Sequence, residues 1–177
     1  VFPEDDPGKI ELSTYHQGNL YWNGDADNMW NISSVNWSSY KEETEETVPE
    51  TFTALSNVYF GGNAANREIT VTQDMVVTTL GVTDGGYSFS GARVAVLLDA
   101  IFEHKEGAVT FNNQLVVQGG LQAKEGSGSV KLLGGATIVE AAVFKNLTTT
   151  IAGDMTVSGK LTVSSGDATT VGSLTIT

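Results

Sequence analysis

The sequence predicts an all-β solenoid, and three observations carry that prediction. The first is a phrase repeated at the end of the chain, where Leu147 to Thr177 reads LTTTIAGDMTVSGKLTVSSGDATTVGSLTIT. Met155-Thr156-Val157-Ser158, Leu161-Thr162-Val163-Ser164 and Leu174-Thr175-Ile176-Thr177 each run apolar, Thr, β-branched apolar, hydroxyl. That alternation is a strand with one buried and one hydroxylated face. The second observation is spacing: the phrases at 155 and 174 stand 19 residues apart, room for one coil of two or three short strands. The third is composition, because 20 glycines among 177 residues, with abundant Thr, Val and Ser, favour turns and strands over helices. Each rung has too small an apolar face to bury alone, but stacked rungs join these faces into one interior. A β-sandwich of short hairpins would show the same alternation and is the competing architecture.

Charge narrows the partners. Nine Lys+Arg against 21 Asp+Glu give a formal net charge of -12, which repels phosphate backbones and anionic lipid heads, so neither nucleic-acid nor membrane-surface binding is expected. No cysteine is present, so the chain has neither a disulfide framework nor a thiolate metal site. No apolar run approaches the roughly 20 residues of a membrane-spanning helix. The start at Val1 and the stop inside a strand phrase suggest a processed or trimmed piece of a longer protein.

Two regions are expected, an N-terminal arm and Trp-rich cap over 1–56 and solenoid rungs over 57–177. Val1 to Gly18 holds two of the three prolines and the acidic Glu4-Asp5-Asp6, and reads as an extended arm with an edge strand near Ile10 to Leu12. Asn19 to Tyr40 contains all three tryptophans, Trp22, Trp30 and Trp37, set among Asn, Gly, Asp and Ser. A solenoid's terminal rung exposes an apolar cross-section, and rings held on turns would cover it. The same rings, facing outward, would instead make a sugar-stacking platform, so these tryptophans are candidates for capping or for ligand stacking.

The loop Tyr40 to Thr51, with Glu42-Glu43-Thr44-Glu45-Glu46, is too charged to pack and reads as a solvated excursion. Short strands follow at Val58–Phe60, Ile69–Thr72, Val76–Val82, Tyr87–Ser90, Val94–Leu98, Ile101–Glu103, Val109–Phe111, Leu115–Gln118, Val130–Leu133, Thr137–Val139 and Val143–Leu147. Turns such as Asp84-Gly85-Gly86, Asn112-Asn113, Gly119-Gly120, Glu125-Gly126-Ser127-Gly128 and Gly134-Gly135 divide them. Arg93 to Lys105 alternates less strictly and is compatible with a short helix, but strands are preferred there.

The order Leu20-Tyr21-Trp22-Asn23-Gly24, Asn28-Met29-Trp30, Asn36-Trp37, a variable acidic loop, then Val58-Tyr59-Phe60-Gly61-Gly62 resembles the autotransporter-associated β-strand repeat. The likeness runs on through Ile69-Thr70-Val71, Val76 to Val82 and Tyr87-Ser88-Phe89-Ser90-Gly91, about residues 20 to 91. Members of that family are segments of large secreted or surface-displayed bacterial proteins. The resemblance implies a right-handed parallel β-helix and that location, and it brings no enzymatic activity and no catalytic residues. The chain departs from the family's usual arrangement in carrying no recognisable translocator barrel.

Few motifs carry chemistry. Asn23-Gly24-Asp25-Ala26-Asp27-Asn28 alternates oxygen side chains as a calcium loop does, but Ser34 stands where such a loop needs its bidentate Glu and no flanking helices are evident, so an Asx-rich turn is preferred there over a calcium site. His16 and His104 are far apart, and His104, between Glu103 and Lys105, reads as an outward rung residue. No Gly-x-Ser-x-Gly elbow occurs, and Thr83-Asp84-Gly85 only echoes an aspartic-protease motif. Asp84, Asp99, Glu103, Glu140, Asp154 and Asp167 are acids that stacking would have to bring together for carboxylate catalysis. Sequons stand at Asn31, Asn36 and Asn146, and are taken as incidental.

The expected function is that of a non-catalytic, secreted or surface-displayed passenger, scaffold or adhesin fragment without a cofactor. Its expected partners are host or matrix glycans and glycoproteins, and further copies joined through the solenoid ends. A hydrolase or protease acting on glycans or glycoproteins, such as mucins, is the alternative, and it rests on fold-level analogy.

Overall fold

A computed structural model describes residues 18–124, 128–145, 148–164, 168–170 and 174–176. Every regular element among them is a strand, and the strands stack as a parallel β-solenoid. The opening segment holds β1 (Asn19–Trp22), β2 (Met29–Trp30), β3 (Trp37–Lys41) and β4 (Glu46–Glu50). Coils of three strands then follow. They are β5 (Asn57–Phe60), β6 (Glu68–Val71) and β7 (Met75–Val77); β8 (Thr79–Val82), β9 (Ser88–Gly91) and β10 (Val94–Val96); and β11 (Ala100–Phe102), β12 (Ala108–Phe111) and β13 (Leu115–Val117). After these come β14 (Leu121–Ala123), β15 (Ser129–Leu132) and β16 (Ala136–Ile138); β17 (Ala142–Lys145), β18 (Thr148–Ile151) and β19 (Met155–Val157); and β20 (Leu161–Ser164), β21 (Ala168–Thr170) and β22 (Leu174–Ile176).

Each coil gives one strand to each of three sheets. The first sheet runs β20-β17-β14-β11-β8-β5-β1-β3-β4, the second β2-β6-β9-β12-β15-β18-β21, and the third β22-β19-β16-β13-β10-β7. The repeated phrase sets the register: Met155 pairs with Leu174 and Val157 with Ile176 in the third sheet, while the middle phrase, from Leu161, pairs with Ala142 in the first. The run Val76 to Val82 is two strands with a corner at Thr78, and Arg93 to Lys105 is strand, corner and strand.

The period of two explains the core. In strand after strand the buried, half-exposed, buried pattern puts two apolar side chains inward and one residue out. Parallel register then stacks like on like, as in Met75, Val94, Leu115, Ala136 and Met155. In the second sheet Ile69, Phe89, Phe111, Leu132 and Ile151 form one inward column, in which the Phe89 and Phe111 rings stack with centroids 4.5 Å apart. Small inward residues, among them Ala100, Ala136 and Ala142, share this interior with the large rings.

The corners need special backbone in places. Gly91 has φ +89°, and a Cβ there would sit 2.3 Å from the Val71 carbonyl oxygen one coil back. Between the first and second sheets Arg67 pins the corner, donating to the Gly62 and Gly85 carbonyls, pairing with Asp84 at 2.8 Å and lying 5.3 Å over the Tyr87 ring. Tyr87 donates its own hydroxyl to the Gly61 carbonyl at 2.5 Å, and burial, helped by Asp84 and opposed by Arg67, pushes its pKa up to about 12.

Two expectations are corrected. The acidic loop is a regular hairpin: β3 and β4 pair antiparallel from Trp37–Glu50 to Lys41–Glu46, and only its turn is a solvated excursion. Alternating Ser39 and Val48 against the charged positions allows pairing that the glutamate count hides. His104 does not face outward but is 0% exposed, its Nε2 3.0 Å from the Ser129 carbonyl and its Nδ1 without a partner. It turns in because Gly128 on the next coil leaves room: a Cβ there would meet the imidazole at 2.3 Å. The expected edge strand near Ile10 to Leu12, Asp167, Asn146 and the heart of the 125–128 turn lie outside the described residues.

Two outcomes follow from this packing. Phe111→Ala removes a fully buried ring that stacks on Phe89 and meets Phe102 edge to face, and is expected to cost about 3–5 kcal/mol, measured by urea unfolding. Burial lowers the pKa of His104, against the opposing effects of its Ser129 contact and Asp84. The unfolded chain therefore takes up a proton near about pH 6.5 that the folded chain resists, so stability is full above that pH and is lost as pH falls below it. The melting temperature should drop between about pH 7.5 and 5.5, and His104→Gln should flatten the drop; an equal drop in the variant would remove His104 as its source.

Candidate functional site

The three tryptophans converge on one point. Trp22 is 4% exposed and Trp30 and Trp37 are 0% exposed, packed with Phe52 and Phe60 above the first complete coil. Trp30 meets Trp37 edge to face at 5.3 Å and Phe52 at 5.5 Å, and Phe60 continues the contact downward onto Phe89 at 5.0 Å. The edge-to-face arrangement sets ring edges against π faces, a favourable pairing beyond simple burial. With their faces covered by one another, these indoles close the solenoid's end and present no stacking platform to a sugar.

Asparagine and aspartate hold that lid in place. Asn36 is 0% exposed: its Oδ1 accepts from the Ala26 and Asp27 amides at 3.0 Å each, and its Nδ2 donates to Asp27 Oδ1 at 2.5 Å and the Met29 carbonyl at 3.0 Å. Asp27 also accepts from the Met29 amide and the Ser34 hydroxyl, both at 2.7 Å. Burial raises its pKa, but the bonds from Ser34, Met29 and Asn36 together outweigh that and hold it below the ordinary carboxylate value. Asn23 Oδ1 accepts from the Asp25 amide at 3.3 Å, so Asn23 and Asp27 of the 23–28 run both serve as turn acceptors. Asn66 closes the ring by donating to the Gly24 carbonyl at 2.6 Å, while its own carbonyl accepts from Trp22 Nε1 at 2.7 Å. At the sequon positions, Asn36 is spent inside this network and Asn31 accepts from the Ser33 and Ser34 amides.

The acids singled out in the sequence have separate partners. Asp84 pairs with Arg67, Asp99 Oδ1 accepts from the Gly120 amide at 3.0 Å, and Glu103 pairs with Lys124. Glu140 is exposed and Asp154 is engaged at its corner. Among the described residues no group of three or more His, Asp or Glu side chains is placed to hold a metal ion.

The exposed chemistry lies on the outer wall of the first sheet. Lining up Leu20-Tyr21-Trp22, Val58-Tyr59-Phe60, Leu80-Gly81-Val82, Ala100-Ile101-Phe102 and Leu121-Gln122-Ala123 makes the middle residues one outward column along the solenoid axis. Tyr21, 44% exposed, stacks on Tyr59 at 5.3 Å with 24° between the rings. Tyr59 leans over Gly81, where a Cβ would lie 2.6 Å from Tyr59 Cδ1. Burial, with Tyr21 beside it, raises the Tyr59 pKa. Beside the ring lies a depression of about 230 Å³ lined by Tyr59, Gly81, Val82 and Ile101, with Thr79, Thr83, Glu103 and Lys124.

Sequence reasoning looked for stacking rings among the tryptophans and missed these tyrosines. The signal was present in the alternation, since Tyr21 and Tyr59 hold the outward phase between two inward residues, whereas Trp22 holds the inward phase.

No family model, curated protein or solved structure matches this chain.

Replacing Asn36 with Ala would remove the acceptor of the Ala26 and Asp27 amides and the donor to Asp27 Oδ1 and the Met29 carbonyl, four bonds made by one buried side chain. A loss of about 2–3 kcal/mol is expected, read as an earlier urea midpoint together with red-shifted tryptophan emission from the opened lid.

Proposed function

We propose that this chain is a non-catalytic scaffold or adhesin segment of a secreted or surface-displayed bacterial passenger protein. The observation that carries the reading is the unbroken stacking of the coils with short corners: from β5 onward no connection between strands exceeds the seven residues of 61–67. Catalytic clefts on solenoids are built by long loops or by neighbouring acids, and here the walls are strands whose charged groups pair locally. The residue pattern over 20–91 supports the same reading by its resemblance to the autotransporter-associated repeat. Backbone ladders along the axis stiffen the rod without disulfides, and a net charge of -12 keeps it apart from anionic surfaces.

Its partners in this reading are glycans or glycoproteins met by the side walls, and further coils or copies met end to end.

The test is to incubate the immobilised protein with mucin and with plant and bacterial polysaccharides, measuring both retention and new reducing or amino termini. Retention of at least one class with no new termini is expected. Accumulating termini that vanish when the acids of the first sheet's outer face are neutralised would replace the scaffold with a hydrolase or protease.

A further inference from the structure

We propose that the notch beside Tyr59 is a subsite for a single neutral pyranose ring of a glycan, a proposal that rests on the reading of the chain as a binding scaffold. The column Tyr21, Tyr59, Gly81, Ile101, Gln122 loses its side chain at one rung only, Gly81. The Tyr59 ring leans into the space that a side chain at Gly81 would fill, and the depression opens between that ring and the aliphatic Ile101. Ile101 stands one rung, about 4.7–4.9 Å, beyond Gly81, and the opening is the size of one ring rather than of a chain of them. The depression of about 230 Å³ is of that order and smaller than sites that enclose a drug-sized ligand.

The lining selects the ligand. A pyranose has an apolar C–H face and an equator of hydroxyls, and the notch has the complement of each. Tyr59 offers a ring face held by Tyr21 behind it, with little freedom to lose on binding. Thr79, in the same strand as Gly81, and Thr83, just past its end, flank Gly81, and each brings a hydroxyl that can donate and accept. Glu103 and Lys124, already paired, bring an acceptor and a donor to the far edge. A purely apolar peptide side chain would leave that rim unanswered, and a polyanionic glycan would meet a chain of net charge -12 whose nearest cation is neutralised by Glu103. A neutral, hydroxyl-rich ring satisfies both walls and rim.

The Gly81 position also gives a sharp test. Gly81→Ala adds a methyl group where the Tyr59 ring lies, displacing the ring through its flexible side chain rather than straining backbone. The experiment is an amide chemical-shift titration of the whole chain with methyl β-D-glucopyranoside, methyl β-D-galactopyranoside and methyl N-acetyl-β-D-glucosaminide. Saturable shifts in the millimolar range are expected for at least one of them, centred on residues 79–83 and 101–103. Tyr59→Ala and Gly81→Ala should each weaken that binding about tenfold, and Tyr59→Phe should stay within about twofold of the parent. Lys124→Gln, far from the core, supplies a second weakened variant should Tyr59→Ala lose the spectrum of a folded chain. Shifts centred elsewhere, unchanged affinity in Gly81→Ala, or no saturable shift with any glycoside would overturn the subsite. Those results would leave the scaffold reading standing, since that falls only if new reducing or amino termini appear.

Discussion

The structure depends on in-register parallel stacking. Each inward side chain rests on its counterpart from the coil before, so the core is a set of columns rather than a cluster of contacts distant in sequence. The Ile69, Phe89, Phe111, Leu132, Ile151 column shows what this demands, because each member must fit against two neighbours at once. A coil that gains or loses one residue within a strand would turn its apolar pair outward. Length variation is accordingly confined to corners, and close backbone contact there calls for glycine, as at Gly91 against the Val71 carbonyl.

Stacking creates its own difficulty at the ends. A terminal coil exposes an apolar cross-section and a row of unpaired backbone groups. At the N-terminal end the cross-section is covered and the first sheet's edge is extended. The β3–β4 hairpin adds two antiparallel strands to the first sheet, and its outermost strand carries Pro49 between Glu46 and Glu50, with Glu50 bridged to Lys41 at 3.1 Å. A proline and charges on an edge discourage a further strand from pairing there. Beneath the hairpin the three indoles with Phe52 and Phe60 seal the bore, and the Asn36–Asp27 network fixes the turns that carry them. Aromatic density in this segment therefore belongs to closure.

The same register that builds the core also orders the surface. Outward residues form columns as regular as the inward ones, so one choice per coil writes a linear pattern along the rod. On the first sheet that pattern is two stacked tyrosines, a glycine and an isoleucine, with hydroxyls and an ion pair beside them. A rigid scaffold holds such a pattern without paying ordering entropy at each contact, which is why a recognition surface on a solenoid needs no loops.

The all-β class, the coil length near the repeated phrase and the inward phase of most strands were legible in the sequence, because a period of two and a spacing of 19 are written directly in residue order. The role of the Trp segment as a cap was legible as one of two readings, and only burial separated them: composition shows that rings are present, not which way they face. Three features needed the tertiary structure. The acidic loop forms a hairpin because a coil edge is there to receive β3. His104 turns inward because a glycine of the next coil vacates the space, a relation between residues 24 positions apart. The tyrosine wall with its notch exists because register sets Tyr21, Tyr59 and Gly81 one above another although 38 and 22 residues separate them. Local sequence determines the strand and its phase, while only the stacking of coils decides which outward side chains become neighbours.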